Sequence, residues 1–331
     1  MKRKYNLALI YGGRGTEHQI SVLSKRYVKT LINREKYEII DCFIGKNGKF
    51  YVEGDIATPL ISESALLVCG NKIHIDVALP VLHGDFGEDG IVQGLIELMN
   101  TPYVGCDATA GAVAFDKVLT KRLCESIGIK TVEYESFFGQ GSEHARERCE
   151  KSLTYPMFIK PTRQGSSYGA NVVNCKEQFT KYYDLACRYS DGKVLVERCL
   201  TDKRELECAY LAYSGEEYIS DVGEVMSHGF YSFADKYTDG KTCVVTHADI
   251  PSAVRDKIRE CVSALASVLN IRHLARFDFF LSDDELYLNE VNTMPGFTRT
   301  SLYPRLIEDM GIAPSDMLER LISDAISVHK R

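Results

Sequence analysis

Residues 276–292 alternate polar and apolar side chains on both sides of a short acidic turn, and this pattern restricts the fold more than any other in the chain. Successive side chains of a β-strand point to opposite faces, so the alternation predicts two antiparallel strands with one polar and one apolar face. Glu290 and Asn292 are two residues apart and therefore share a face. The opposite face would carry Phe277, Phe279, Tyr287 and Val291.

The register of this hairpin decides whether Asp278 joins the face of Glu290. A two-residue turn would leave Asp278 opposite Asn289 and on the other face. A three-residue loop, residues 283–285, pairs Asp278 with Glu290. We predict the three-residue loop because it lets four polar groups converge: Arg276, Asp278, Glu290 and Asn292.

The acidic and amide side chains of the polar face indicate a metal site. Asp278, Glu290 and Asn292 offer two carboxylates and one amide. Oxygen ligands of this kind suit Mg²⁺ better than zinc, and Mg²⁺ usually takes further ligands from substrate phosphates. The alternative is a strand pair with a solvated polar face, but Asp and Asn are poor strand formers, so their repeated use there needs a reason.

The N-terminal residues predict an α/β unit. Apolar residues 5–11 end in a glycine pair and precede residues 17–31, whose apolar positions recur at helical spacing. The turn would place backbone N–H groups, Glu17 and His18 at the carboxyl end of a strand, where such sheets bind ligands. The dinucleotide-binding pattern fails because His18 stands where its last glycine is required, and a simple strand–helix turn remains the alternative. Strands at 38–44 and 75–82 and a helix at 91–99 extend the unit into a largely parallel sheet.

The rest of the chain predicts α+β structure. Residues 108–128 are expected to be helical, and residues 227–242 form a polar aromatic stretch without regular period, which is typical of a functional loop. We expect three domains, residues 1–106, 107–200 and 201–331. Further strands are expected at 155–160, 170–174, 193–197, 207–212 and 218–222, and further helices at 252–269 and 314–328.

The segment K-P-T-R-Q-G-S-S-Y-G at residues 160–169 is typical of a phosphate-binding loop. Gly165 and Gly169 flank two hydroxyls, Lys160 and Arg163 are cationic, and strand-like stretches lie on both sides. It resembles a hairpin loop that covers phosphates, and it lacks the glycine-lysine end of a Walker loop. The alternative is a polar hairpin turn.

Two other turns carry chemistry-bearing groups. His83 begins H-G-D-F-G-E-D-G at the end of a strand, where a histidine is as often structural as a ligand. Gly296 lies in the turn that follows the acidic strand, and its backbone N–H is suited to face a developing oxyanion.

Composition limits the class of protein. The 331 residues contain 40 Lys and Arg against 46 Asp and Glu, a formal charge of -6, so the net positive field of a nucleic-acid binder is absent. Eleven cysteines, an odd number with no C-x-x-C spacing, indicate a reducing compartment rather than a disulfide scaffold. No apolar run approaches the roughly 18 residues of a membrane span. We expect a soluble, intracellular protein that binds neither nucleic acid nor membrane.

Taken in order along nearly the whole chain, these motifs resemble the D-alanine–D-alanine ligase family of the ATP-grasp superfamily. The resemblance implies the three-domain ATP-grasp architecture, α/β and α+β, with an N-terminal parallel-sheet domain. The matching residues are Glu17-His18 with Ser21, H-G-x-x-G-E-D-G (83–90), P-Y-V-G (102–105), Asp116-Lys117, K-P-x-x-x-G-S-S-x-G (160–169), Glu197, Lys236-Tyr237, R-x-D (276–278), N-E-V-N-T-x-P-G-F-T (289–298) and S-L-Y-P (301–304).

The family's reaction joins two D-alanines at the expense of ATP. The resemblance implies that the first D-alanine's carboxylate attacks the γ-phosphate and that the second D-alanine's amine attacks the resulting acyl phosphate. It also implies two Mg²⁺ ions, with Mn²⁺ as a substitute. By this resemblance ATP is bound by Lys117, Lys160, Ser167, Glu197, Leu200 and Glu205, and the metal ions by Asp278, Glu290 and Asn292.

The resemblance also assigns the amino-acid sites. A catalytic set would orient the first substrate, stabilise the oxyanion and close the site: Glu17, Ser166, Tyr237, Arg276, Gly296 and Ser301. Substrate-binding residues would be His83, Glu88, Lys236 and Leu302.

The identity of the second substrate is a separate question. The pair Lys236-Tyr237 and Leu302 favour D-alanine over D-lactate or D-serine, because relatives that use D-lactate lack the pair, and both D-lactate and some D-serine relatives tend to carry Arg at the position of Leu302. A D-alanine–D-serine or D-alanine–D-lactate ligase is the near alternative, and a non-catalytic nucleotide-binding regulator is a remote one. The family further implies a cytoplasmic homodimer that acts in peptidoglycan synthesis.

Overall fold

The computed structural model describes residues 3–226 and 243–329 and contains three β-sheets within them. The first is seven-stranded, in the order β6-β5-β4-β3-β2-β1-β7. Its strands are β1 (Tyr5–Gly12), β2 (Tyr37–Ile44), β3 (Phe50–Val52), β4 (Asp55–Leu60), β5 (Ala65–Val68), β6 (Asn71–His74) and β7 (Val77–Val81), with helices α1 (His18–Leu31) and α2 (Ile91–Leu98).

The predicted parallel arrangement holds for β2, β1 and β7, which pair in parallel. Strands β3 to β6 continue the sheet as antiparallel hairpins that we did not predict. They have three to six residues and several exposed positions, so they lack the long alternation that identifies a strand in a sequence.

The second sheet is four-stranded and antiparallel, in the order β10-β9-β11-β8. The predicted glycine-rich loop connects β9 to β10, as a hairpin. A separate core including Phe179, Tyr183 and Val194 lies beneath this sheet. The elements are β8 (Tyr134–Phe138), α5 (Ser142–Ser152), β9 (Met157–Pro161), β10 (Asn171–Val173), α6 (Lys176–Arg188) and β11 (Lys193–Arg198).

The predicted helical segment at 108–128 is confirmed, but it consists of two helices, because the chain breaks at Asp116 into α3 (Ala108–Phe115) and α4 (Lys117–Ser126). Asp116 has an extended backbone, and its carboxylate accepts hydrogen bonds from the N–H groups of Val118 and Leu119. It therefore caps a new helix instead of continuing the first. The break places Lys117 at the first position of α4.

The third sheet is five-stranded and antiparallel, in the order β14-β13-β12-β15-β16. One face packs on a core that includes α7 (Ser252–Leu269). The other face packs on α8 (Leu302–Asp309) and α9 (Pro314–His329), whose core continues into β1 and β7 of the first sheet. The strands are β12 (Arg204–Tyr213), β13 (Glu216–Met226), β14 (Cys243–Val245), β15 (Leu274–Ser282) and β16 (Glu285–Asn292).

The three-residue loop predicted between β15 and β16 is wrong, although the face that it predicted for Asp278 is correct. Ser282 pairs with Glu285 across a two-residue turn. A β-bulge follows, since Phe279 pairs with Leu288 while Asp278 pairs with Glu290. The extra residue, Asn289, forms the bulge, and beyond it Asp278 pairs with Glu290, as it would have done with the longer loop.

In the described part of the chain, no helix has both the length and the apolar character needed to cross a bilayer.

Candidate active site

A cavity of about 610 Å³ lies between the second and third sheets. Its walls come from the glycine-rich loop, the connection between β11 and β12, and the bulged end of β16. All six side chains predicted to bind ATP line it, together with one predicted metal ligand: Lys117, Lys160, Ser167, Glu197, Leu200, Glu205 and Glu290.

A larger groove, of about 730 Å³, lies elsewhere and contains none of the predicted site residues. Its charged groups are largely paired with the protein itself: Arg272 donates to the Tyr103 hydroxyl, and His273 pairs with Asp324. The smaller cavity is therefore the candidate site, because the residues suited to phosphate chemistry converge there.

Glu197 lies in the wall of this cavity between two lysines. Its carboxylate oxygens are each 2.7 Å from one Nζ, that of Lys121 and that of Lys160. Burial alone would raise the pKa of Glu197, but the two lysines lower it to about 2. Burial lowers the pKa of Lys160, and the positive charges of Lys121 and Lys117 add to that effect against the attraction of Glu197. Lys160 also lies 3.3 Å from the side-chain oxygen of Asn289, the bulge residue.

Lys117 joins the glycine-rich loop to β16. Its Nζ donates a hydrogen bond of 2.8 Å to the Gln164 carbonyl and lies 3.3 Å from a Glu290 carboxylate oxygen. Its backbone N–H donates to the Thr162 carbonyl. The helix break at Asp116 is thus what positions this lysine under the loop.

A row of residues crosses the third sheet on the face covered by α8 and α9. Gly223 pairs with Glu207, Glu207 with Asp278, and Asp278 with Glu290. Directly paired residues share a face with Cβ atoms about 5 Å apart, so three carboxylates adjoin one another.

Arg276 lies beside this acidic row, two residues from Asp278 on β15, and compensates its charge. The guanidinium makes two hydrogen bonds of 2.7 Å to the Asp278 carboxylate and lies 3.2 Å from Glu207. Burial works against the charge of Arg276, but the two carboxylates outweigh it and the pKa lies well above its ordinary value. Asn292 contacts the same Asp278 carboxylate at 3.0 Å.

The donor set fits a hard divalent cation that shares its ligands with a substrate. Asp278 and Glu290 are paired neighbours, and Asn292 touches Asp278, so two carboxylates and an amide converge, and Glu290 among them lines the cavity. Within residues 3–226 and 243–329, no three His, Cys, Asp or Glu side chains are arranged to hold a metal ion by themselves. A cation here would need oxygen ligands from substrate or water, as Mg²⁺ ordinarily does.

Glu17 connects the first sheet to the glycine-rich loop. The Ser166 hydroxyl donates a hydrogen bond to its carboxylate. The carboxylate also lies against the backbone of two glycines: a Cβ on Gly165 would stand 2.6 Å from the Glu17 Oε2 atom, and one on Gly84 would collide with the same atom. The predicted pair Glu17 and Ser166 is therefore brought together across 149 residues of sequence.

His83 is a buried histidine whose hydrogen bonds fix its tautomer. The Met294 carbonyl, 3.1 Å away, accepts from Nδ1, so Nε2 of the neutral ring accepts from the Ser24 hydroxyl at 2.9 Å. Burial lowers the pKa of His83. Burial, with the nearby Glu17 charge, raises the pKa of Glu88, whose carboxylate lies 3.9 Å from His83. The surroundings favour the neutral form of both groups.

The turn after β16 brings Gly296 next to Ser301, and Leu302 follows as the first residue of α8. Ser301 Oγ accepts a hydrogen bond of 3.0 Å from the Thr298 N–H, and a Cβ on Gly296 would lie 3.3 Å from that Oγ. Leu302 is buried and covers Gly223, where an added Cβ would lie 3.0 Å from its side chain.

The other two predicted residues, Lys236 and Tyr237, lie outside the described residues, as does the whole loop predicted at 227–242.

Three residues of this region were not predicted from the sequence. Lys121 follows Lys117 by four residues on one helix, and Glu207 follows Glu205 by two on one strand, so helical and strand spacing were available signals. Ser24 had no signal, since only the packing of α1 brings it to His83.

Two family models match the chain: "D-ala D-ala ligase N-terminus" over residues 6–106 and "D-ala D-ala ligase C-terminus" over residues 123–323. The chain belongs to the D-alanine–D-alanine ligase family. The ligase of Solibacter usitatus is 37% identical over 99% of this chain and 97% of its own length. That of Caldicellulosiruptor bescii is 35% identical, with the same coverage.

Solved structures of similar ligases share the whole fold. The D-alanyl-alanine synthetase A of Vibrio cholerae superposes with a TM-score of 0.91 at 29% identity, over 99% of this chain and all of that one. The VanG D-Ala:D-Ser ligase of Enterococcus faecalis gives 0.88 at 32% identity, over 98% of this chain and all of its own. The fold is thus the ATP-grasp ligase fold, as the sequence motifs imply.

Proposed function

We propose that this protein is an ATP-dependent D-alanine–D-alanine ligase that works through a D-alanyl phosphate and supplies peptidoglycan synthesis. One observation carries the proposal. In this member of the ligase family, a lysine cluster at the cavity meets, through Glu290, an acidic row that Arg276 adjoins. Phosphoryl transfer needs positioning and charge neutralisation more than covalent help, and this arrangement offers both.

ATP would lie in the cavity between the second and third sheets. Lys117, Lys160 and Ser167 would contact the phosphates, since the first two present buried ammonium groups to it. The adenosine end would lie against the connection between β11 and β12, lined by Glu197, Leu200 and Glu205.

Asp278, Glu290 and Asn292 would hold two Mg²⁺ ions, with Mn²⁺ as a substitute. When bound, the metal neutralises phosphate charge during transfer. Arg276, whose charge the neighbouring carboxylates stabilise, and the Gly296 N–H would stabilise the oxyanion of the tetrahedral intermediate.

The first D-alanine would bind where Glu17, His83 and Glu88 meet. Glu17 would hold its ammonium group, and the neutral His83 with Glu88 would line the site without competing for that role. Ser166 would close the glycine-rich loop over it through Glu17, together with Tyr237 and Lys236. Closure would protect an acyl phosphate from water.

The second D-alanine would lie beside Ser301 and Leu302. The apolar contact of Leu302 with Gly223 suits a methyl side chain. D-serine is the second candidate acceptor, because one structure that shares the whole fold is that of a D-Ala:D-Ser ligase. We further propose domains at 1–106, 107–200 and 201–331, and a cytoplasmic homodimer.

A phosphate-release assay with ATP, Mg²⁺ and D-alanine tests the function. We expect phosphate release and D-alanyl-D-alanine as the main product when D-serine and D-lactate compete at equal concentration. A predominant mixed product would replace the acceptor assignment, and the absence of phosphate release with all three would refute the enzyme.

Glu290→Gln tests the metal site. Removing the charge of this predicted metal ligand should lower turnover by roughly a hundredfold or more, raise the Mg²⁺ concentration for half-activity, and leave the fold intact. Glu285→Gln is the control, because Glu285 lies on the same strand as Glu290 but forms an exposed ion pair with Lys130. Unchanged activity and Mg²⁺ dependence in Glu290→Gln would remove the assignment.

A further inference from the structure

Lys121 is a fully buried lysine that no proposed role yet includes. It follows Lys117 by four residues, so both project from the same side of α4. Lys117 lines the cavity, whereas Lys121 lies behind the cavity wall. The Lys121 Nζ is 2.7 Å from a Glu197 oxygen, donates a 3.0 Å hydrogen bond to the Val132 carbonyl and lies 5.0 Å from the centre of the Tyr134 ring.

Glu197 therefore has two cationic partners that face different surroundings. Lys160 and Glu197 both border the cavity, whereas Lys121 has its Nζ satisfied entirely by protein groups. Only Lys160 is placed to exchange its partner for a ligand.

That exchange would be costly if Glu197 had one lysine. A phosphate that drew Lys160 away would leave a buried carboxylate without its counter-charge, a strongly unfavourable state. With Lys121 at 2.7 Å, the carboxylate keeps one ion pair throughout.

We propose that Lys121 is a positioning residue that holds the charge of Glu197 and so frees Lys160 to bind the nucleotide phosphates. The inference rests on the proposed binding of ATP in this cavity. It adds a residue that touches no substrate but determines phosphate affinity through Glu197.

Nucleotide binding by calorimetry tests the proposal, with the ATP analogue AMP-PNP plus Mg²⁺ compared with adenosine. Lys121→Met should weaken AMP-PNP binding about tenfold or more, because Lys160 then stays paired with Glu197 and its charge-assisted hydrogen bond to the phosphates is lost. The same variant should leave adenosine binding unchanged. Glu197→Gln removes the charge that holds Lys160, so adding Lys121→Met to the Glu197→Gln variant should cause little further loss of AMP-PNP affinity. Lys121→Arg, which retains the charge, should recover part of the loss.

Lys25→Met is a matched control. Lys25 and Lys29 share the Asp41 carboxylate, and the Lys25 Nζ lies over the Tyr11 ring, so its surroundings resemble those of Lys121 but lie outside the cavity. We expect unchanged affinity for both ligands in this variant.

Three results would overturn the inference alone: wild-type AMP-PNP affinity in Lys121→Met, equal loss of adenosine and AMP-PNP, or the same fold-loss from Lys121→Met in the Glu197→Gln background as in the wild type. A wild-type protein that binds no AMP-PNP would instead overturn the proposed function, and the inference with it.

Discussion

At the scale of single residues, the position of Glu17 depends on the absence of two side chains. Gly84 and Gly165 leave the space that its carboxylate fills, and Ser166 donates to it. A motif search finds these glycines, but only the structure shows that they make room for an acid rather than for a sharp turn alone.

Gly165→Ala should impair the first D-alanine site without unfolding the protein. The new Cβ would stand 2.6 Å from Glu17 Oε2, the end of a flexible side chain, so the carboxylate moves and the backbone does not. We expect the KM for the first D-alanine to rise about tenfold, equivalent to about 1.4 kcal/mol, with little change in Tm. Steady-state kinetics and thermal unfolding measure both.

Gly141→Ala is the control for that substitution, since no atom lies within 4 Å of its added Cβ. If Gly165→Ala had the wild-type KM for the first D-alanine, the proposal that Gly165 leaves necessary space for the Glu17 carboxylate would be wrong.

His273 should make stability depend on pH. The Gly105 N–H donates to its Nδ1 at 2.9 Å, which requires an unprotonated nitrogen, and burial lowers the pKa of His273 below its ordinary 6.5 despite the nearby Asp324. Below about pH 6.5 the unfolded chain therefore binds more protons than the folded one. Stability from this residue is complete above that pH and is lost as the pH falls.

The free energy of unfolding should fall between pH 7.5 and 5.5 by about 1 kcal/mol less in His273→Asn than in the wild type. Urea unfolding at the two pH values measures the difference. Asn suits the left-handed backbone at this position, where φ is 67°. His144→Asn, at an exposed site, should keep the wild-type pH dependence. A variant at 273 that retained the full dependence would contradict this account.

At the scale of secondary structure, Asp278 and Glu290 must share one face of the β15–β16 hairpin, and two arrangements of the chain would achieve this. The polar face could be assembled by a longer loop or by a bulge, and the chain uses the bulge at Asn289. Alternation in the sequence predicts which side chains must share a face. It does not specify where the extra residue lies, because both arrangements satisfy the same pattern.

Asp284→Gly should stabilise the protein. Asp283 and Asp284 both have left-handed backbones, with φ of 50° and 60°, in a two-residue hairpin turn that favours glycine at its second position. We expect a gain of roughly 0.5–1 kcal/mol in the free energy of unfolding with unchanged turnover, measured by urea unfolding and the phosphate assay.

Asp284→Ala should have the opposite effect, because alanine lacks the tolerance of aspartate for that conformation. A less stable Asp284→Gly would show that the Asp284 side chain, rather than its backbone, holds the turn.

At the scale of the whole molecule, the first and third sheets share one core. Leu7 and Val77 of the first sheet, Leu211 of the third, and Leu321 of α9 belong to a single buried cluster. The second sheet has its own core around Phe179. We therefore expect the first and third sheets to lose structure together.

Leu321→Ala should reveal this coupling. Leu321 is fully buried, and its truncation should cost about 2–5 kcal/mol. Hydrogen exchange should accelerate in β1 and β12 together, while β9 in the second sheet keeps its protection. Acceleration confined to α9 would contradict a shared core.

The sequence by itself determined the family of this protein and which side chains share a face of the β15–β16 hairpin. Strand alternation grouped Asp278 with Glu290, glycine spacing marked the loop at 160–169, and ordered motifs indicated the ligase family. These features are readable because backbone periodicity and turn preferences act over a few residues.

The tertiary structure alone decided which distant charges meet. Glu197 contacts Lys121 of α4 and Lys160 of β9, and neither ion pair was predicted from the sequence. Such contacts depend on how sheets pack and on which groups are removed from water, and no local pattern encodes either. The short strands β3 to β6 and the helix break at Asp116 also followed from pairing and capping rather than from periodicity.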